Sequence, residues 1–103
     1  MMRVIKPSTL VRWAKKYPAA APSLLRWFEI TRKASWQSLT AIRRDLPPTD
    51  MVKVESQRPV FVFNIAGNNF RLIAAVHFNT GRVFLLDFLS HAEYSKDTWK
   101  KKL

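Results

Sequence analysis

VFVFNIAGNNFRLIAAVHFNTGRVFLLDFLS, residues 60 to 90, is the stretch on which the fold turns. Val60 to Ile65, Phe70 to Phe78 and Arg82 to Ser90 are runs of strand length, rich in the β-branched and aromatic residues that pack well on a pleated surface. Two short polar segments separate them: AGNN, with Gly67 and Asn68 suited to positive φ, and NTGR. The three runs read as two linked hairpins, a meander. Just before them Met51 to Glu55 alternates as a short strand and SQRP turns, so the sheet is expected to have about four antiparallel strands. After them HAEYSKDTWKKKL has helical spacing between His91, Tyr94 and Thr98, and its lysines suit the negative end of a helix dipole.

Upstream of the sheet the periodicity changes. DLPPTD, Asp45 to Asp50, contains two consecutive prolines, which cannot continue a helix. Before it lie three helical patterns. STLVRWAKKY, residues 8 to 17, sets Leu10, Ala14 and Tyr17 at helical spacing with Val11 beside them; Ser8 or Thr9 is placed to cap it and Pro18 to close it. Ala19 to Lys33 gives an apolar face of Ala21, Leu24, Leu25 and Phe28, with Pro22 tolerable only in the first turn. WQSLTAIRR, residues 36 to 44, repeats the spacing through Trp36, Leu39 and Ile42, with Ser38 as cap. No internal repeat interrupts this order. It predicts one α+β domain over residues 1–103: a basic helical part (1–44) packed on the sheet (51–90), followed by a terminal helix and lysine tail (91–103).

Composition narrows the function. With 18 Lys and Arg against 7 Asp and Glu, the chain carries +11 and a pI near 10.8, a surface that seeks a polyanion. The excess is uneven: Arg3, Lys6, Arg12, Lys15, Lys16, Arg26, Arg32, Lys33, Arg43 and Arg44 face Glu29 alone in the first 44 residues. Cysteine is absent, which removes disulfides, thiolate metal ligands and a thiol nucleophile. Two histidines are too few for a histidine-rich metal cage, so no metal or other cofactor is expected. No apolar run reaches the roughly 18 residues of a membrane span, and a cytoplasmic protein without membrane contact is expected.

Chemistry-bearing residues cluster late in the chain. Alternation along the strand from Phe70 puts Phe70, Leu72, Ala74, Val76 and Phe78 on the core face, leaving Arg71, Ile73, Ala75 and His77 on the other. Arg71 is then either a cation displayed above small neighbours or half of an ion pair with Asp87. His91, at the corner where strand becomes helix, is either a proton carrier near neutral pH or a capping and packing residue. Tyr94 and Lys96 lie within one and a half turns of it. RNA cleavage by 2′-hydroxyl attack needs a base for that hydroxyl, an acid for the departing 5′ oxygen and cations for the pentavalent phosphate, all of which Arg, His, Tyr and Lys supply without metal. His77 is roughly 20 Å from Arg71 at about 3.3 Å per residue, too far to share its work. Trp13, Trp27, Trp36 and Trp99 could stack on bases, but at helical positions they read as core.

Between Val62 and Trp99 the segments FNIAGNNFRLIAAVHF and RVFLLDFLSHAEYSKDTW closely resemble HigB toxins of bacterial toxin–antitoxin systems. The KYP ending at residue 18 and the SL before the short third helix extend the likeness over nearly the whole chain. Its carriers are the series Asn64, Gly67, Asn68, Arg71 and the series His91, Glu93, Tyr94. The resemblance implies a RelE-like fold and an mRNA interferase that cuts messengers on translating ribosomes. It also implies a helix-turn-helix antitoxin that neutralises the toxin, the shared operon DNA being touched only through that complex. By the same likeness Arg71 is a phosphate stabiliser, His91 an acid or base and Tyr94 an RNA-positioning residue. Lys96 and Arg82 are phosphate contacts with a weaker claim, and Lys15, Lys16, Arg43, Arg44 and Lys100 are the further basic candidates for holding RNA. Ser90 stands where the family commonly has threonine, and Ser95 where an aspartate often follows the tyrosine. The alternative is a non-catalytic RNA- or ribosome-binding basic protein, which leaves the grouping of Arg71, His91 and Tyr94 unexplained.

Overall fold

In a computed structural model that describes all 103 residues, the three runs pair as the meander requires. Strand β3 (Pro59–Ile65) lies antiparallel to β4 (Phe70–His77), with Asn64 opposite Arg71, and β4 lies antiparallel to β5 (Arg82–Ser90), with Arg71 opposite Leu89. The short strand β2 (Asp50–Lys53) borders β3. Positive φ in the first turn falls on Ala66 and Gly67, at 54° and 67°, rather than on Gly67 and Asn68. Asn68 instead uses its backbone carbonyl and side chain as hydrogen-bond partners.

A fifth strand was not foreseen. β1 (Arg3–Ile5) runs parallel to β5, giving the order β1-β5-β4-β3-β2 and a sheet of five strands, four of them in the antiparallel meander. Parallel pairing needs a long connection, here the helical part together with strands β2 to β4, and three residues carry no period that a sequence could reveal.

Helices α1 (Ser8–Lys16), α2 (Ala21–Lys33) and α3 (Leu39–Asp45) cover one sheet face. Leu10, Leu24, Trp27, Trp36 and Ile42 pack there against Phe61, Phe63, Leu72, Ala74 and Phe88. The expected helix faces and the first cap need correction. Val11 is 57% exposed and Leu25 63% exposed, and Trp27 and Thr31 take the buried positions beside Leu24. Pro7, not Ser8 or Thr9, is the first residue of α1's cap, without a side-chain bond; Thr9 is buried and accepts a hydrogen bond from Arg12 at 3.1 Å. Ser38 does cap α3, accepting from the Ala41 amide at 3.2 Å.

The opposite sheet face is covered by the C-terminal segment alone. Helix α4 has only five residues (His91–Ser95); the chain breaks at Asp97, φ 60°, and re-forms as a 3-10 turn at Thr98–Lys101. The continuous terminal helix expected from the spacing is thus two short pieces. The break swings Trp99, 2% exposed, onto Val54, Val60, Val62, Ile73 and Leu89. Trp27, Trp36 and Trp99 are all core residues, and Trp13 stacks on Phe88 at 5.4 Å. No helix is long and apolar enough to cross a membrane.

Candidate functional site

The alternation of β4 sends Leu72 into the helix-covered core and Arg71 to the other face. Arg71 is only 9% exposed, yet no carboxylate meets it. The ion pair with Asp87 that the sequence left open is not formed. Asp87 sits opposite Ile73 and accepts from the Phe88 amide at 2.9 Å. Instead the Arg71 guanidinium bends over the first turn, where Nη1 donates to the carbonyls of Asn68 (2.9 Å) and Phe70 (3.1 Å). Its Nη2 faces His91 Nδ1 at 3.5 Å, and its Cζ lies 5.3 Å from the centre of the Tyr94 ring. A nearly buried cation held by carbonyls and an aromatic face is oriented but not neutralised, and burial of an unpaired charge is unfavourable. Such a group favours an arriving anion.

His91 owes its place to the local sequence SHAE. Ser90 and Glu93 form a reciprocal capping box: the Glu93 amide donates to Ser90 Oγ at 3.2 Å and the Ser90 amide donates to Glu93 Oε1 at 3.0 Å. The His91 amide donates to the Asn69 carbonyl at 2.9 Å, tying the new helix back to the β3–β4 turn. The Arg71 Nη2 atom faces the Nδ1 edge of this ring, which leaves the Nε2 edge directed away from the guanidinium. The ring itself is exposed.

Tyr94 lies one turn further on, stacked on Trp99 at 5.3 Å between centroids. Trp99 Nε1 donates to the Tyr94 carbonyl at 3.1 Å, which fixes the two together. Burial, reinforced by the charge of Asp50 and opposed by Lys100 and Arg71, raises the Tyr94 phenol above its ordinary value. At neutral pH it is a neutral O–H group, a donor and not a phenolate.

Sequence reading missed what Glu93 does. The hydrogen bond from the Ser90 amide, assisted by the Ser90 and Tyr17 hydroxyls and by Lys16, holds its carboxyl below the usual range in spite of desolvation. Tyr17, at the end of α1, donates to Glu93 Oε1 at 3.2 Å, so the helical layer braces the same corner. The signal was legible as S-x-x-E ahead of a helix. The supporting carbonyls of Asn68 and Asn69 had no such signal, because backbone groups leave no trace in residue identity.

The structure therefore brings Arg71, His91 and Tyr94 together and sorts the basic candidates. Lys96 is the C-cap of α4, and Lys100 pairs with Asp97 at 3.3 Å over the Trp99 ring. Lys16 sits over the Tyr17 ring at 5.4 Å, on the side of Glu93. Arg43 donates to the Thr49 carbonyl at 2.9 Å and reaches Asp50 at 3.4 Å, while Lys15 and Arg44 are exposed on α1 and α3. Arg82 stands apart. It is opposite His77 at the far end of the sheet, roughly 20 Å from Arg71 at about 3.3 Å per residue.

A cation for a phosphate, an imidazole and a neutral phenol within one corner are the groups that metal-free phosphodiester transfer uses. Residues 20–97 match the family of HigB toxins, described as the RelE-like toxic component of a toxin–antitoxin system. The chain is 29% identical over 97 residues to the mRNA interferase HigB of a uropathogenic Escherichia coli, covering 94% of this chain and 92% of that protein. It is 26% identical over 93 residues to the mRNA interferase HigB of Shigella flexneri, covering 90% of this chain and 88% of that one.

Proposed function

The chain belongs to the HigB toxin family of RelE-like toxins, the toxic half of a pair whose other half is an antitoxin, and from that premise we propose that it cuts messenger RNA at the corner formed by Arg71, His91 and Tyr94. Its established class is thus that of an mRNA interferase; the site and its chemistry are our reading. The observation that supports the site most is the near-buried Arg71 guanidinium, which has two carbonyls, an imidazole and a ring for company and no counter-charge.

In this reading the scissile phosphate docks against Arg71. A 2′-oxygen of the message attacks the adjacent phosphorus and gives its proton to a base; the P–O5′ bond breaks and the departing oxygen takes a proton from an acid. The products are a 2′,3′-cyclic phosphate and a free 5′-hydroxyl. His91 carries one of these protons through its ring. Tyr94, a neutral phenol whose pKa burial raises further, donates a hydrogen bond to the phosphate or the leaving oxygen. Arg71 stabilises the charge that builds on the equatorial oxygens. No step calls for a metal.

The substrate we propose is a message being translated, in the cytoplasm, with Lys15, Lys16, Arg43, Arg44, Lys96 and Lys100 contributing to the hold on ribosomal and messenger phosphates. The antitoxin is proposed to be of the helix-turn-helix type, so that DNA is met only through the complex. The test is induction in growing cells. Growth arrest is expected with the wild type and relief of it with Arg71→Ala or His91→Ala at equal protein level. Full arrest by both folded variants would remove this corner from the mechanism.

A further inference from the structure

At the far end of the face that carries Arg71, three strands line up a second group of side chains. Arg3 of β1 is in register with Arg82 of β5, and Arg82 is opposite His77 of β4. Directly above this row Ile5, Phe84 and Ala75 are in register, with the Phe84 ring 4.9 Å from the His77 ring at 57°. Arg3, Arg82 and His77 are exposed and Phe84 is half-buried. Val4, Val76 and Val83, the residues between them, point into the helix-covered core, which places the row on the Arg71 side.

Two features of this row need explaining. Like charges directly opposite across strands destabilise a sheet, and here two arginines are adjacent on neighbouring strands. None of the three ion pairs in the molecule involves either of them. The alternation of a cationic row with an aromatic one is the pattern by which single-stranded nucleic acid is held, phosphates on the cations and a base on the ring. Charge continues beside it. The Glu55 amide donates to the Lys100 carbonyl, so the lysine tail ends at the β2–β3 turn, the same end of the sheet as the β4–β5 turn. Asp87, the one carboxylate on strands β4 and β5, is turned onto the Phe88 amide.

We propose that Arg3, Arg82, His77 and Phe84 form a second RNA subsite that grips the message a few nucleotides away from the scissile phosphate. The subsite rests on the reading that the Arg71 face meets RNA. It gives Arg82 a role that its distance from Arg71 denies it in catalysis: Arg82 and Arg3 bind phosphate, and Phe84 with His77 stacks a base. The wild-type sheet thereby measures a length of single strand.

The experiment uses the full chain and 2′-O-methyl oligonucleotides, which resist cutting, of about four and about twelve nucleotides, within the range of site sizes for such surfaces. Wild type should bind the longer one more tightly. Arg3→Gln with Arg82→Gln should lower affinity for the longer oligonucleotide about 10-fold and flatten its salt dependence by about 0.7 per lost phosphate contact. Affinity for the shorter one should stay within about 2-fold. Phe84→Leu, which keeps the apolar row, should weaken the longer one alone. Equal loss on both lengths, or no loss on either, overturns the subsite. If the arginine pair instead lowers ribosome co-sedimentation and leaves the oligonucleotide length effect intact, the contact is to ribosomal RNA and the proposal fails. The two readings are separable, because a wild type that cuts no message removes the catalytic one, whereas the length effect is read without any cutting.

Discussion

Arg71 carries the account at the scale of single residues. Its guanidinium is fixed by two carbonyls, so a lysine, with a flexible point charge, would not reproduce its geometry. Arg71→Lys and Arg71→Ala should each lower the single-turnover cleavage rate by about 100- to 1,000-fold, the usual loss when one preorganised charge stabiliser is removed. Tyr94→Phe keeps the stack on Trp99 and removes only the hydroxyl; thermal stability should change little while cleavage slows, which a paired melting and rate measurement would show. Glu93 acts differently. Its folded pKa is lowered, so its stabilisation is present above the unfolded value and is lost as pH falls through the folded one. Acid unfolding followed by circular dichroism should show Glu93→Gln with a shallower acid dependence than wild type, its cap still formed; an unchanged acid limb would mean that the carboxylate is not what the corner depends on. In the sequence the family resemblance singled out Arg71, His91 and Tyr94, whereas residue type and position alone left Arg71 between a displayed cation and an ion pair and His91 between a proton carrier and a packing residue. Neither could show that Arg71 ignores Asp87, since a choice between partners is made by registry and bulges, here at Ile73 and Ala74, and not by residue type.

Among elements, the strand-to-helix corner matters most. The capping box at Ser90 and Glu93 starts α4 at His91 and so sets where the imidazole stands. Ser90→Ala should destabilise the protein by about 1 kcal/mol, the ordinary value of such a cap, and Ser90→Thr should leave stability and cleavage near wild type; denaturant melts and cleavage rates check both. The break at Asp97 is as consequential, because it turns Trp99 under the sheet where it supports Tyr94. Trp99→Ala should cost about 3–5 kcal/mol, as deletion of a large buried side chain does, measurable as a shift in denaturant midpoint. Helix and strand periods were legible wherever a run exceeded about one turn or two hairpin pairs. The three-residue β1 and the split of the last helix were not: one depends on a partner some eighty residues away, the other on a positive φ at Asp97 that the sequence does not announce.

For the whole molecule, the excess of cations and the division into two faces decide the function together. Helices cover one side of the sheet, while the other carries the corner with Arg71 and is capped only by the short C-terminal segment. Composition made a polyanion partner legible, but the sheet sorted the cations: Arg71 at the corner proposed for cleavage, Arg82 and Arg3 at the opposite end, the helical lysines elsewhere. An mRNA interferase built this way should bind RNA with strong salt dependence. The central claim is that cutting happens at Arg71 and His91, and mapping message 5′ ends after brief induction tests it most directly. Wild type should create new 5′-hydroxyl ends within translated messages, and folded Arg71→Ala and His91→Ala proteins should create none. The same ends at the same frequency from either folded variant would contradict it.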